Sequence, residues 1–155
     1  GTLRGAKERS ISDGAAALVL MRRSTAERRG LAPRAVVVGH ASHAQQPARF
    51  TTAPVGAIRR LLERVGWTAD GVDLFEINEA FAVVVLAALK ELALPAEKVN
   101  VHGGACALGH PIGASGARLV VTLLNALETR GGHRGVAAVC IGGGEATAIA
   151  LERAA

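Results

Sequence analysis

Aromatic residues and cysteines are scarce in this sequence, and both shortages limit what the chain can do. One tryptophan, three phenylalanines and no tyrosine occur among 155 residues, so there are few candidates for stacking on nucleic-acid bases. Cys106 and Cys140 stand far apart in the chain, which fits a reducing compartment such as the cytoplasm better than a disulfide framework. The sequence has no run of about 18 apolar residues, so we expect no transmembrane helix and no membrane association.

Long basic tracts are absent as well. Lys and Arg total 18 against 13 Asp and Glu, a formal net charge of +5, but the arginines stand singly or in pairs such as Arg59-Arg60. We therefore expect no nucleic-acid partner, whereas an anionic small-molecule substrate is compatible with the charge. The length suits one domain with a sizeable core.

Glycine is abundant instead, and it is concentrated in residues 100–118, which also contain two histidines and a cysteine. We interpret this stretch, the glycine loop, as part of an active site, because packing alone does not need so much backbone freedom. A glycine-rich turn around a hydrogen-bonded histidine is the structural alternative. Pro111 suits the first turn of a helix that apolar spacing extends to Gly131. His110 would then be the N-cap, where the helix dipole disfavours the imidazolium.

Hydrophobic periodicity predicts strands alternating with helices, as in an α/β layer fold. We expect an irregular segment over residues 1–10 and one domain over residues 11–155. The predicted strands are 15–21, 35–41, 72–77, 99–101, 135–141 and 145–151, and the predicted helices are 25–29, 54–65, 80–89 and 111–130. Three glycines, 142–144, would join the last two strands into an antiparallel hairpin at one side of the sheet.

The predicted helix 80–89 is apolar in every position. Asn78 is its expected N-cap, and Glu79 favours its first turn. A helix that is apolar on every side is expected to be buried on every side. We therefore expect another half or another domain to cover it.

Three polar groups emerge from apolar surroundings at the ends of predicted elements: Asn78, His110 and Cys140. Ligand sites of α/β folds gather at the carboxyl ends of strands, so we expect these side chains to converge. A histidine or helix N-terminus beside Cys140 would lower the pKa of its thiol and make it a candidate acid, base or nucleophile. The structural alternatives are a small buried cysteine and a plain helix cap.

Two further interpretations of the glycine loop are weaker. A histidine, a cysteine and a histidine recur every four residues from His102 to His110, which on a helix would make a metal-binding face, but the glycines between them interrupt any helix. The spacing of the later glycines hints at a phosphate loop, yet no Lys-Ser or Lys-Thr pair follows them. We expect no metal site.

Three segments, taken in order, resemble the C-terminal motifs of the thiolase family. They are Asn78-Glu79-Ala80-Phe81-Ala82, the glycine loop with Gly109-His110-Pro111, and Cys140-Ile141-Gly142-Gly143-Gly144. The run that begins Asp13-Gly14-Ala15 resembles the family's opening strand of this half, so the likeness covers residues 10–152. Within the family the chain is most similar to acetyl-CoA C-acetyltransferases, also called acetoacetyl-CoA thiolases or β-ketothiolases.

The resemblance implies the C-terminal half of an αβαβα five-layer fold, with a mixed five-stranded sheet covered by helices. It implies acyl transfer between acetyl-CoA and an acyl-CoA, by Claisen condensation or by thiolysis of a 3-ketoacyl-CoA, with CoA thioesters as substrates and no cofactor. The implied partner is an N-terminal thiolase half, on the same or a separate polypeptide. The full enzyme would be a cytoplasmic homodimer or homotetramer in fatty acid metabolism.

The same resemblance assigns roles to individual residues. Cys140 would be the acid/base at the substrate α-carbon. His110 would activate an acyl-accepting cysteine and, with a water held by Asn78, form an oxyanion hole; the Gly142 N–H would contribute to a second one. The residues expected to line the substrate pocket are His43, Phe81, Ala80 and Gly143.

Two features depart from the family pattern. The family's nucleophilic cysteine belongs to the N-terminal half, and Cys106 stands where thiolases have various small or apolar residues, so the chain alone should lack the acyl-enzyme step. Residues 3–9 do not resemble the Thr-Ala-x-Asn type of loop that usually precedes the Asp-Gly-Ala strand. An alternative of another class is a non-catalytic acyl-CoA-binding or interaction module derived from a thiolase half.

Overall fold

A mixed β-sheet with helices on both faces forms the centre of the structure, a computed structural model that describes residues 9–154. The strands are β1 (Ala35–Ala44), β2 (Leu74–Ile77), β3 (Arg134–Ile141) and β4 (Glu145–Arg153). The helices are α1 (Arg23–Arg28), α2 (Ala53–Val65), α3 (Ala82–Glu91), α4 (Ala105–Leu108) and α5 (Ser115–Arg130), with short 3₁₀ helices at Pro47–Thr52 and Ala96–Lys98. The predicted α/β class is confirmed, and residues 1–8 of the predicted irregular segment lie outside the described residues.

The sheet has the strand order β1-β4-β3-β2. β2 and β3 are parallel, whereas β4 is antiparallel to both β1 and β3. The predicted hairpin of β3 and β4 is confirmed, but its placement at one side of the sheet is wrong, because these are the two central strands. Central strands are covered on both faces, which fits the alanines and valines of β3 and the alanines, isoleucine and leucine of β4.

Four strands, rather than the expected five, make up the sheet in the described part of the chain. Residues 15–21, predicted as a buried strand, adopt no regular secondary structure, and Val19 and Leu20 are 88% and 70% exposed. Residues 99–101 contribute only isolated bridges. An apolar run favours burial, but burial also requires a second surface, and within residues 9–154 no surface covers Val19 or Leu20.

Separate apolar cores lie on the two faces of the sheet. Helices α2 and α3 cover one face, with the buried side chains Ile58, Leu61, Phe75, Ile77 and Val84. Helix α5 covers the other, with the buried side chains Leu74, Leu119, Leu123, Leu127 and Ala137.

The ends of α2 agree with the prediction, because a proline stands in its first turn and Gly66 ends it in the left-handed conformation at φ 69°.

The starts of two helices differ from the prediction. The N-cap of α3 is Phe81, so Asn78 is not a helix cap. Helix α5 begins at Ser115 after a turn over residues 111–114, so His110 is not an N-cap either. Instead of capping a helix, the side chains of Asn78 and His110 form a hydrogen bond with each other.

Burial of α3 also differs from the prediction. Val84 and Ala88 are buried against the sheet, but Leu86 is 61% exposed. The helix is thus apolar on every side without being covered on every side by the described residues.

Candidate active site

The parallel pair β2 and β3 brings two of the predicted site residues to one edge of the sheet. Asn78 directly follows β2, and its backbone N–H donates to the carbonyl of Ala138 on β3 at 2.9 Å. Cys140 lies two residues further along β3. The carboxyl ends of parallel strands meet at the same edge, so Asn78 and Cys140 both lie at that edge of the sheet.

His110 joins this edge from the glycine loop. Its Nε2 lies 3.2 Å from Asn78 Nδ2, and both side chains are buried. Its backbone N–H donates to the carbonyl of Ser10 at 3.0 Å, so the segment before residue 15 also lies against the site. The structure therefore brings Asn78 and His110 into direct contact, although 31 residues separate them in the sequence.

The other ring nitrogen of His110 contacts the first turn of α5. Nδ1 lies 2.5 Å from Ser115 Oγ, and that hydroxyl also donates to the Pro111 carbonyl at 3.0 Å. Burial, together with the Arg9 and Arg118 guanidinium groups, lowers the pKa of His110. The neutral imidazole expected from the sequence is thus favoured, but mainly by burial rather than by an N-cap position.

Cys140 differs from its predicted electrostatics. Burial raises the pKa of its thiol and outweighs its own backbone amide and Arg9, which act in the opposite direction. The expectation of a lowered pKa is therefore wrong. A buried thiol that keeps its proton is better suited to donate one than to act as a resting thiolate.

Glu79 fastens the glycine loop to the end of β2, a role that the sequence analysis missed. One carboxylate oxygen accepts a hydrogen bond from the Asn100 side chain at 3.0 Å and the other accepts the Cys106 backbone N–H at 2.9 Å. Asn100 also bonds both backbone groups of Ile77. A Cβ at Gly104 would overlap the Glu79 carboxylate, which explains the glycine at this position.

A buried ion pair next to the site was missed as well. Glu76 lies on the α5 face of β2, and Arg118 NH1 approaches its carboxylate at 3.5 Å. Burial raises the pKa of Glu76 from 4.5 to about 7; Arg118 opposes this and Glu79 adds to it. The available signal was the single carboxylate inside the otherwise apolar run Leu74–Ile77.

His43 is the first of the residues that we expected to line a substrate pocket. His43 stands opposite Ala146, which in turn stands opposite Cys140, so all three side chains share one sheet face. The His43 ring packs against Gly56 and its Nε2 lies 3.0 Å from Gln45 Oε1.

Phe81 is half-buried and meets Phe50 edge to face, with ring centroids 6.0 Å apart. Ala80 is buried, whereas Gly142 and Gly143 are exposed in the β3–β4 turn. Their backbone groups are thus open to a ligand at the end of β3.

Metal ligands do not assemble in the described residues. No group of three or more His, Cys, Asp or Glu side chains between residues 9 and 154 could hold a metal ion. Cys106 is exposed and lies beside Glu79, and burial and that carboxylate raise the pKa of its thiol. None of the helices in the described ranges is long and apolar enough to cross a membrane.

The sequence and the fold both match a known protein family. The family profile described as "Thiolase, C-terminal domain" matches residues 31–153. This chain belongs to the thiolase family. The thiolase C-terminal domain seen here is 52% identical over 153 residues to the mouse protein named "Acetyl-CoA acetyltransferase, cytosolic", covering 99% of this chain and 38% of the relative. It is 48% identical to the acetyl-CoA acetyltransferase of Chromobacterium violaceum, with 99% and 39% coverage.

Solved thiolase structures share its fold. The Bacillus anthracis acetyl-CoA acetyltransferase superposes with a TM-score of 0.94 at 44% identity, over 97% of this chain and 38% of that one. Human mitochondrial 3-ketoacyl-CoA thiolase gives a TM-score of 0.92 at 34% identity, over 99% and 39%. The thiolase domain described here therefore spans about two fifths of the length of the relatives that it matches.

Proposed function

We propose that this chain is the C-terminal catalytic half of a thiolase that transfers acetyl groups between CoA thioesters. The observation that carries the proposal is the buried contact of Asn78 with His110 at the sheet edge that also holds the Cys140 thiol. Relatives named acetyl-CoA acetyltransferase support acetyl-CoA as the acyl donor. The similar human 3-ketoacyl-CoA thiolase supports thiolysis as the reverse reaction.

In the proposed reaction the two pKa shifts suit two different tasks. Neutral His110 would take the proton of a nucleophilic cysteine thiol, whose sulfur then attacks the acyl carbonyl carbon as the bond to the leaving group breaks. In thiolysis, the Cys140 thiol would give its proton to the α-carbon of the departing enolate, and the thiolate left behind would take the proton of the incoming CoA thiol. In condensation the steps run in reverse: Cys140 gives its proton to the departing CoA thiolate, and its own thiolate then removes the α-proton of the second acetyl-CoA. Asn78 and the Gly142 N–H would stabilise developing oxyanions.

The nucleophile of this reaction is proposed to come from an N-terminal thiolase half, on the same or a separate polypeptide. Cys106 is a poor substitute because Glu79 and burial raise the pKa of its thiol and leave little thiolate at neutral pH. The chain by itself would then be inactive. We propose a cytoplasmic dimer or tetramer for the whole enzyme, supported by the name of the cytosolic mouse relative and by the symmetric assembly common among enzymes.

Substrate contacts are proposed along the same edge. Ala80 and Phe81 lie in the segment between β2 and α3, Gly143 lies in the β3–β4 turn, and His43 shares the sheet face of Cys140. Of these, His43 already has a partner in Gln45, so its proposed role is to shape the pocket wall rather than to bind the thioester. No cofactor is proposed, since the reaction needs only CoA thioesters and acid/base groups.

The experiment that tests the proposal is acetoacetyl-CoA cleavage by free CoA. The chain is assayed alone, with a separately produced N-terminal thiolase half, and as Cys140→Ala with that half; Cys106→Ala serves as the matched control. We expect turnover only with the added half, a loss of about 10²- to 10⁴-fold in Cys140→Ala, and no loss in Cys106→Ala.

Two results would contradict the proposal. Turnover by the chain alone would transfer the nucleophile role to Cys106. Binding of a CoA thioester without turnover in the presence of the added half would instead support a non-catalytic acyl-CoA-binding module.

A further inference from the structure

Next to the Asn78 side chain, the buried Glu76 forms an ion pair with the partly buried Arg118. Glu76 is 1% exposed, and Arg118 from α5 approaches it with NH1 at 3.5 Å from Oε2. Neither carboxylate oxygen has a hydrogen-bond partner among the described residues. Burying such a pair costs free energy that well-packed apolar residues would not. A gain in stability therefore does not explain why Glu76 and Arg118 pair here. A hydrogen bond of Arg118 indicates a different role.

That hydrogen bond is with the site. Arg118 NH2 donates to Asn78 Oδ1 at 3.2 Å. A guanidinium group can only donate hydrogen bonds, so the Asn78 atom that faces it must be the carbonyl oxygen. The amide nitrogen of Asn78 must therefore point the other way, towards His110.

The orientation of Asn78 in turn determines the protonation of the His110 ring. Asn78 Nδ2 donates to Nε2 at 3.2 Å, which requires a lone pair on Nε2. A neutral imidazole then carries its hydrogen on Nδ1, where it donates to Ser115 Oγ. The hydroxyl hydrogen of Ser115 goes to the Pro111 carbonyl. All of these hydrogen bonds run in one direction, from Arg118 to Pro111.

We propose that Arg118, held by Glu76, is a positioning residue that fixes the tautomer of His110 through Asn78. Arg118 turns the Asn78 amide, and the amide keeps Nε2 free of hydrogen. The consequence for catalysis rests on the proposed function, because Nε2 is then the nitrogen that can accept a proton from a nucleophilic thiol. The tautomer itself does not depend on that function.

The test is ¹⁵N NMR of the 155-residue chain labelled at histidine, which distinguishes the two neutral tautomers by the shifts of the ring nitrogens. His110→Ala identifies the His110 signals. We expect wild type to show a hydrogen on Nδ1 and none on Nε2. Arg118→Met should shift His110 towards the Nε2–H form, and Arg118→Lys, which keeps a donor and a charge, should partly restore the original pattern.

A matched control lies on the same helix. Arg130 is exposed in the last turn of α5, so Arg130→Met should leave the His110 signals unchanged. The double variant Glu76→Gln/Arg118→Met leaves no buried charge without a partner. It keeps the test valid if Arg118→Met alone fails to fold, and it should show the same tautomer shift.

The inference is overturned if wild-type His110 carries its hydrogen on Nε2, or if the folded Arg118 variants keep the wild-type tautomer. With the N-terminal half added, kcat should also fall by about 10- to 100-fold in Arg118→Met, part of what a positioned base contributes. Absence of turnover in wild type would count against the proposed function alone, because the NMR measurement needs no turnover.

Discussion

Strand β2 presents two different surfaces within four residues. Phe75 and Ile77 face α2 and α3 in a core that is apolar throughout, whereas Leu74 and Glu76 face α5. Both surfaces are fully buried. Alternate side chains of a strand point to opposite faces, so the same short segment packs into an apolar core on each side, and on the α5 side Glu76 also forms an ion pair with Arg118.

The apolar contacts and the ion pair differ in what they contribute to the free energy of folding. On the α2 face, burial of apolar surface favours folding. On the α5 face, the Glu76–Arg118 pair is buried at a cost in free energy, and its arginine reaches the site residue Asn78. Substitutions in the apolar cores of either face should therefore change stability at any pH, whereas substitution of Glu76 should change how stability depends on pH.

The largest effects on stability are expected where apolar packing is tightest on either face. Leu61→Ala in α2 and Leu123→Ala in α5 remove fully buried side chains, and each should lower the free energy of unfolding by about 2–5 kcal/mol. Urea unfolding followed by circular dichroism measures this. Leu86→Ala on the exposed side of α3 is the control, and it should change the free energy of unfolding by about 0.5 kcal/mol or less. A similarly small loss at Leu61 or Leu123 would contradict the described cores.

The next largest effect is a change in the free energy of unfolding with pH, which we expect from Glu76. Glu76 has its pKa raised to about 7 in the folded chain, so between its unfolded and folded pKa values the folded state binds more protons. Stability should then fall as the pH rises from about 4.5 to 7, by roughly 3 kcal/mol in total. Glu76→Gln should abolish this fall and be the more stable protein at pH 8.

The measurement is the difference between the unfolding free energies of wild type and Glu76→Gln at a series of pH values. Taking the difference removes the contribution of His110, whose lowered pKa makes stability rise with pH in an overlapping range. A difference that stays constant from pH 5 to 8 would show that Glu76 keeps an ordinary pKa.

A smaller effect is expected where β2 ends and the glycine loop begins. Gly104→Ala would push a methyl group into the Glu79 carboxylate and should cost about 1–3 kcal/mol by overpacking. Gly113→Ala in the same loop meets no atom nearby and should be close to neutral. Equal unfolding midpoints for the two variants in urea would contradict the role of Glu79 in fastening the loop.

The smallest effect concerns an ion pair in solvent, for comparison with the buried one. Glu152 accepts a bond from Arg134 at 3.2 Å, with both side chains nearly half exposed. Glu152→Gln should lower the free energy of unfolding by about 1 kcal/mol or less, and this loss should disappear in roughly 1 M salt because exposed charges are screened. A loss that persists at high salt would show a contribution other than Coulombic attraction.

Local signals predicted much of the fold. Pro54 and Gly66 bound α2 as expected, because a first-turn proline and a left-handed glycine act through the backbone of their own neighbours. The β3–β4 hairpin follows from two apolar runs separated by three glycines. Its central position does not follow, since strand order depends on which distant strands pair on each side.

The sequence places Asn78, His110 and Cys140 at the ends of predicted elements and groups them by their resemblance to thiolase motifs. The structure brings Asn78 and His110 into contact, and the catalytic roles of all three residues stay predictions. The structural setting of each residue differs from the prediction. Asn78 and His110 are not helix caps, and burial raises rather than lowers the pKa of the Cys140 thiol. Burial of an individual atom depends on neighbours that no local pattern specifies.

The sequence by itself determined the α/β class, the main helices and strands, and the family to which the chain belongs. Only the tertiary structure decided that α5 crosses β2 so that Arg118 meets Glu76 and Asn78, residues some forty positions away along the chain. It also decided that residues 15–21 form no strand and that Val19 and Leu20 remain exposed. The physical reason is the same in both cases: local conformation depends on neighbouring residues, whereas burial and long-range hydrogen bonds depend on which surfaces the folded chain brings together.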